Sequence, residues 1–154
     1  MNDGMYSSNT DEWSTPQGFY DQWDAIYSFT LDAAATPDNA KAPRYYTKDD
    51  DGLTQPWEGT VWCNPPYGRG IDKWIQKGYV AARNGATVVM LIPARTDTRW
   101  WHDYVAKAYQ IFLIKGRLKF GGHKDSAPFP SAVVVFRTGE HRPGFHHYQQ
   151  EAVK

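Results

Sequence analysis

The sequence predicts an α/β fold: a mostly parallel sheet with helices on both faces and an antiparallel C-terminal edge. Three observations carry this expectation. Short apolar runs alternate with stretches of helical periodicity, the pattern of βαβ units. Right-handed crossovers between such units place helices on both sides of the sheet. One run, "ATVVMLIPAR" at 86–95, is apolar at successive positions, as a central parallel strand covered on both faces should be. A chain of 154 residues fits one domain with a core of its own.

Residues 1–12, MNDGMYSSNTDE, are polar and turn-rich and read as a flexible arm before a domain spanning 13–137. Ser14 or Thr15 can cap a helix and Pro16 suits its first turn. Phe19, Tyr20, Trp23, Ile26 and Tyr27 then share one helical face. Phe29 to Leu31 read as a short strand ending at Asp32, and Pro37 and Pro43 oppose long regular structure beyond it. "GTVWC" is a second strand. Ile71, Trp74, Ile75, Gly78, Tyr79 and Ala82 form a helix face that Gly85 is placed to end. After the central strand, a helix over about 97–108 carries Trp100, Trp101, Tyr104, Val105 and Ala108. "QIFLIK" and "SAVVVF", at 110–115 and 131–136, are the strands expected to pair antiparallel at the edge. Residues 138–154 read as a tail or peripheral segment.

Composition narrows the function classes. Formal net charge is zero, so no long-range field selects for or against nucleic acid, and only a local basic face can. A single cysteine, Cys63, excludes an intramolecular disulfide and fits a reducing compartment. Five scattered histidines give no zinc spacing, so no metal is expected. No signal peptide and no long apolar run is evident, so a soluble cytoplasmic protein without membrane contact is expected. Aromatics reach 16% of the chain; they serve the core, and some can stack on a planar ligand.

The segment with chemistry is Asn64-Pro65-Pro66-Tyr67. It lies just past the carboxyl end of a strand, where open α/β sheets bind ligands. Two prolines fix φ and remove two backbone donors. What remains is a preset pair of acceptors, the Asn64 side-chain oxygen and the Pro65 carbonyl, with the Tyr67 ring beside them. Such a set suits a planar group bearing an exocyclic amine. Cys63 ends a buried strand and reads as a small core thiol rather than a nucleophile.

Taken in order, "EWSTPQGFYDQW", "FTLDAAATPDNAKAPRYYT", "DGL", "VWCNPPYG", "LIPARTDTRWWHDYV", "GRLKF" and "APFPSAVVVF" give the chain its family likeness. It resembles the small phage-type DNA N6-adenine methyltransferases of the Dam family over about residues 12–137. The resemblance implies a reduced Rossmann-like methyltransferase fold, S-adenosyl-L-methionine as donor, and an adenine flipped out of double-stranded DNA as acceptor. It puts Asn64, Pro65, Pro66 and Tyr67 in the catalytic loop. Thr15 and Pro16 fall near the methionine end of the donor. Asp32 and Ala33 fall where the first donor motif lies, although "LDAAATPDNA" lacks its usual glycines. There the Asp32 carboxylate can take the donor's ammonium or its ribose hydroxyls. Asp51 can accept from the donor's adenine amine. Phe120 would oppose Tyr67 across the target base. Arg117 and Lys119 can hold flanking phosphates, and Arg95, Arg99, Arg69 and Lys124 form a basic rim. Recognition of the DNA sequence is expected from loops at 36–58 and 121–130 and from the terminal arms. Other planar amines (cytosine N4, RNA, a protein glutamine) and an inactive binding module keeping the fold stay open, as does oligomeric state. A stand-alone phage methylase protecting DNA from restriction is the expected biological setting.

Overall fold

The computed structural model describes residues 13–139 and the strand 145–149. The arm expected over 1–12 lies outside the described residues. The chain runs α1 (Gln17–Tyr27), β1 (Leu31–Asp32), β2 (Arg44–Tyr45), β3 (Thr60–Cys63), α2 (Ile71–Arg83), β4 (Thr87–Pro93), α3 (Arg99–Asp103), β5 (Gln110–Lys115), β6 (Ser131–Phe136) and β7 (Phe145–Gln149). Seven strands form one sheet in the order β2-β1-β3-β4-β6-β5-β7. Strands β2, β1, β3 and β4 are mutually parallel, and β6 runs antiparallel to both β4 and β5.

The register explains the unbroken apolar run of β4. Trp62 pairs with Val89, and Val89 with Val135, so these side chains share one face. The α1 helix covers that face: its Tyr20 ring meets Trp62 edge-on at 5.3 Å and Trp23 meets Phe112 at 5.1 Å. Val88, Met90 and Phe136 point to the other face, where α2 packs closely. A Cβ at Gly78 would stand 2.8 Å from Met90 Sδ. Both faces of β4 are therefore dry, and polar alternation is absent.

Four expectations are corrected. Neither Ser14 nor Thr15 caps α1; Pro16 holds the cap position with no side-chain bond. The helix over 97–108 is two pieces, α3 and a 3-10 turn at Val105–Lys107, because Tyr104 leaves helical geometry at φ −124°. The strand β4 is parallel only toward β3, since β6 lies against its other side. The expected antiparallel pairing of β5 and β6 is present, but the outermost strand beyond it is β7, which pairs parallel with β5. The peripheral segment expected over 138–154 thus supplies the outermost strand, with 140–144 and 150–154 outside the described residues.

Candidate active site

The parallel half of the sheet ends at one edge in Asp32, the last residue of β1, and Asn64, just after β3. A cavity of about 290 Å³ opens there. Its wall includes Thr15, Asp32, Ala33, Asp51, Asn64 and Pro65. Six residues singled out from sequence are thus brought together, along with Pro66. Pro16 caps α1 beside Thr15.

Asp32 is 3% exposed and belongs to the cavity wall. Its two oxygens accept from the backbone N–H of Ala34 at 3.3 Å and of Lys41 at 3.0 Å. Burial pushes its carboxyl up to about 6, against the pull of those two bonds and the Lys41 charge. The glycine-free turn after it works because each alanine amide finds a partner. Ala33 donates to Trp62 O at 3.0 Å, and Ala35 to Tyr46 O at 2.8 Å. No left-handed residue is needed there, so the missing glycines cost nothing.

The close approach falls at Gly52 instead. A Cβ there would stand 2.2 Å from the Ala33 carbonyl and 3.1 Å from the Trp74 ring. Gly52→Ala is expected to lower stability by about 1–3 kcal/mol and to narrow the cavity. Thermal melting and a donor titration check it; an unchanged melt and unchanged affinity would count against the close fit. Asp51, beside it, is exposed and accepts from Leu53 N at 3.3 Å. Trp74, Lys41 and Asn39 also line the cavity and were not singled out. Trp74 lay on a helical apolar stripe and read as core.

Asn64 has an asymmetric setting. Its Nδ2 donates to the Trp13 carbonyl and to Thr15 Oγ1, the latter at 3.0 Å. Its Oδ1 is buried with no hydrogen-bond partner. Among the described residues no hydrogen bond ends on the Pro65 carbonyl. Two acceptors are thus left over at the end of β3, and one of them is desolvated. A buried acceptor without a donor is costly, so Asn64 Oδ1 stands to gain most from a donor that reaches it.

Tyr67 does not line this cavity. It is 6% exposed, and its hydroxyl donates to Leu91 O at 3.1 Å. Burial keeps this phenol neutral, and it raises the Cys63 thiol as well. Cys63 is wholly enclosed, so it is a protonated core thiol. Phe120 does not face Tyr67 across a gap. The two rings meet edge to face at 6.2 Å, and Phe129 joins them at 5.4 Å from Tyr67. A base sandwiched between parallel rings needs roughly 7 Å, twice the ~3.5 Å contact distance. Stacking on both requires one ring to move. Trp13, also not singled out, closes this cluster: it stacks on His123 at 3.9 Å and meets Phe129 at 5.1 Å.

The basic residues are all exposed. Arg95 lies 5.9 Å over the Phe129 ring, next to the aromatic cluster. Arg117 reaches the Ala127 carbonyl at 3.4 Å. Lys119, Arg99, Arg69 and Lys124 are exposed side chains, which is what phosphate contact needs but does not single them out. Among the described residues no group of three or more His, Cys, Asp or Glu can hold a metal, and no helix is long and apolar enough to cross a membrane.

Comparison with known proteins converges on one family. The family described as DNA N-6-adenine-methyltransferase (Dam) matches residues 4–145. A DNA N-6-adenine-methyltransferase of Haemophilus phage HP1 is 28% identical over 138 residues, 84% of this chain and 80% of that one. One from Escherichia phage T1 is 31% identical over 111 residues, 70% of this chain but 46% of its own length. A putative methyltransferase of Escherichia coli is 34% identical over 65 residues, 37% of this chain and 71% of that protein.

Proposed function

The chain belongs to the DNA N-6-adenine-methyltransferase (Dam) family, and from that premise we propose that it methylates the N6 amine of an adenine turned out of double-stranded DNA. The single observation that carries the proposal is the buried, unpartnered Asn64 Oδ1 at the mouth of a cavity that also holds a carboxylate. The residues present fit S-adenosylmethionine as donor. Asp32 offers a carboxylate to an ammonium or to ribose hydroxyls, Gly52 lets its loop pack close against the Ala33 carbonyl beside the cavity, and Trp74 supplies a ring. When bound, this donor supplies an electrophilic methyl group.

The chain's own residues do the rest. Asn64 Oδ1 and the Pro65 carbonyl accept the two amine hydrogens of the base. The amine lone pair is delocalised into the adenine ring and is a poor nucleophile. Hydrogen bonds that favour a pyramidal nitrogen strengthen as the new bond forms, so they stabilise the transition state more than the ground state. The aromatic cluster around Tyr67 receives the base, and a rotated ring provides its stacking face. Extrusion is needed because N6 is paired inside the duplex. Cys63 takes no part, and transfer is direct. Phosphate contacts come from the exposed arginines and lysines, with Arg95 nearest the base.

The test is transfer of labelled methyl from S-adenosylmethionine to unmethylated DNA, digestion to nucleosides and identification of the product by mass. N6-methyladenine supports the reading. N4-methylcytosine, or label in RNA alone, moves the acceptor while keeping the loop chemistry. No label despite donor binding overturns the reading.

Asp32 gives this activity a pH signature. Its ionised form holds an ammonium or a hydroxyl donor, and with its carboxyl at about 6 the neutral form dominates below that pH. Donor affinity should therefore fall as pH drops, by up to about tenfold from pH 7 to pH 5 for one coupled proton. Titration calorimetry at the two pH values checks this; equal affinities would remove Asp32 from the donor contacts.

A further inference from the structure

We infer that Thr15 is a positioning residue for the methyl transfer: its hydroxyl, with the Trp13 carbonyl, locks the Asn64 amide so that Oδ1 faces the incoming amine. The inference rests on the reading of Asn64 as the amine acceptor. An asparagine amide has two nearly isosteric ends, and only the oxygen end can accept from a base amine. The ends must therefore be told apart. The Trp13 carbonyl has no hydrogen to give, so it accepts from Nδ2 and repels Oδ1. Thr15 Oγ1 accepts from the same nitrogen at 3.0 Å, which uses both amide hydrogens. Oδ1 is left buried and without a partner. Thr15 is itself 6% exposed, so water does not readily replace its hydroxyl.

The clamp is built rather than incidental. Gly121 N donates to Ser14 O at 2.9 Å, and Asn39 Nδ2 donates to Ser14 Oγ at 3.2 Å. The Trp13 indole is stacked on His123 and meets Phe120 edge-on at 5.5 Å. The segment 13–15 is thus pinned from the base side and from the donor side. This explains why Thr15 does not cap α1: its hydroxyl is committed to Asn64, 49 residues away in sequence.

The experiment uses the full chain and three variants. Thr15→Val keeps the shape and removes the acceptor. Single-turnover transfer at saturating donor should slow by about ten- to a hundredfold, the cost of a loosely aimed group. The rate loss should persist at saturating donor, whatever Thr15 adds to donor binding, and Thr15→Ser, which keeps the hydroxyl, should recover most of the rate. If Thr15→Val melts out, Thr15→Ala takes its place with the same comparison. The second readout does not depend on activity. In a nitrogen-15 spectrum the Asn64 side-chain amide protons should exchange slowly with water, and faster in Thr15→Val. Wild-type transfer rates in the variant, or a loss confined to donor Kd, would overturn the inference, as would fast amide exchange in the wild type. Should the wild type transfer no methyl to DNA, the functional reading fails while the amide exchange still decides whether the clamp exists.

Discussion

Asn64→Ala is expected to abolish methyl transfer, by about a thousandfold or more in single turnover, while donor affinity stays within a few fold. Truncation removes the only side-chain acceptor at the end of β3 and leaves the Pro65 carbonyl to hold the amine alone. It also frees the Trp13 carbonyl and the Thr15 hydroxyl, which Asn64 Nδ2 now satisfies. The proposed donor contacts, Asp32, Gly52 and Trp74, make no hydrogen bond to Asn64, so binding should survive. Filter-binding of methylated DNA and a parallel donor titration separate the two effects. Transfer within tenfold of wild type would remove Asn64 from the chemistry. Equal loss of transfer and donor binding would make it a donor residue.

Tyr67→Ala carries the second large effect, and it falls first on the fold. The ring is 6% exposed, lies 5.4 Å from Phe129, and bonds Leu91 O through its hydroxyl. Truncating a buried aromatic costs about 3–5 kcal/mol through lost burial and the hole left behind. The melting temperature should fall by about 10 °C or more in a protein of this size. Tyr67→Phe keeps the ring and loses one hydrogen bond, about 1 kcal/mol. It should retain DNA methylation, and its comparison with alanine separates ring from hydroxyl. A Tyr67→Ala protein that melts like the wild type would show the ring is not a core residue.

The sequence made the centre of this fold legible and its margins obscure. The apolar run of β4, the alternating face of α2 and the Pro-Pro break after β3 each depend on local chemistry, and each stands where expected. Strand direction is different. A strand buried on both faces shows no period-two pattern, so nothing in "TVVMLIP" reveals that one neighbour is parallel and the other antiparallel. A two-residue strand such as β2, and β7 in a polar stretch, lie below any periodic signal. The site divides the same way. Asp32 was placed by resemblance, whereas Asn64 was legible because a polar amide ending a buried strand is anomalous. Trp74 was not, because a tryptophan at helical spacing looks like core. Thr15 was placed near the donor by resemblance, but its bond to Asn64 spans the fold and has no local signature. The Phe120–Tyr67 pairing about a base stays a proposal, and the edge-to-face packing of the two rings is a detail no sequence contains.

The segment 13–15 has a thermodynamic consequence. Trp13, Ser14 and Thr15 all line the proposed donor cavity, and the Trp13 ring also packs against Phe120 and Phe129. Two ligands that press on one short piece of backbone do not bind independently. Whatever factor donor binding imposes on DNA affinity through this segment, DNA must impose on donor affinity, because the four binding steps close a cycle. With donor and base both bearing on this one segment, the protein would be a cooperative device, and the sign of its cooperativity would be set by whether both ligands prefer the same position of Trp13.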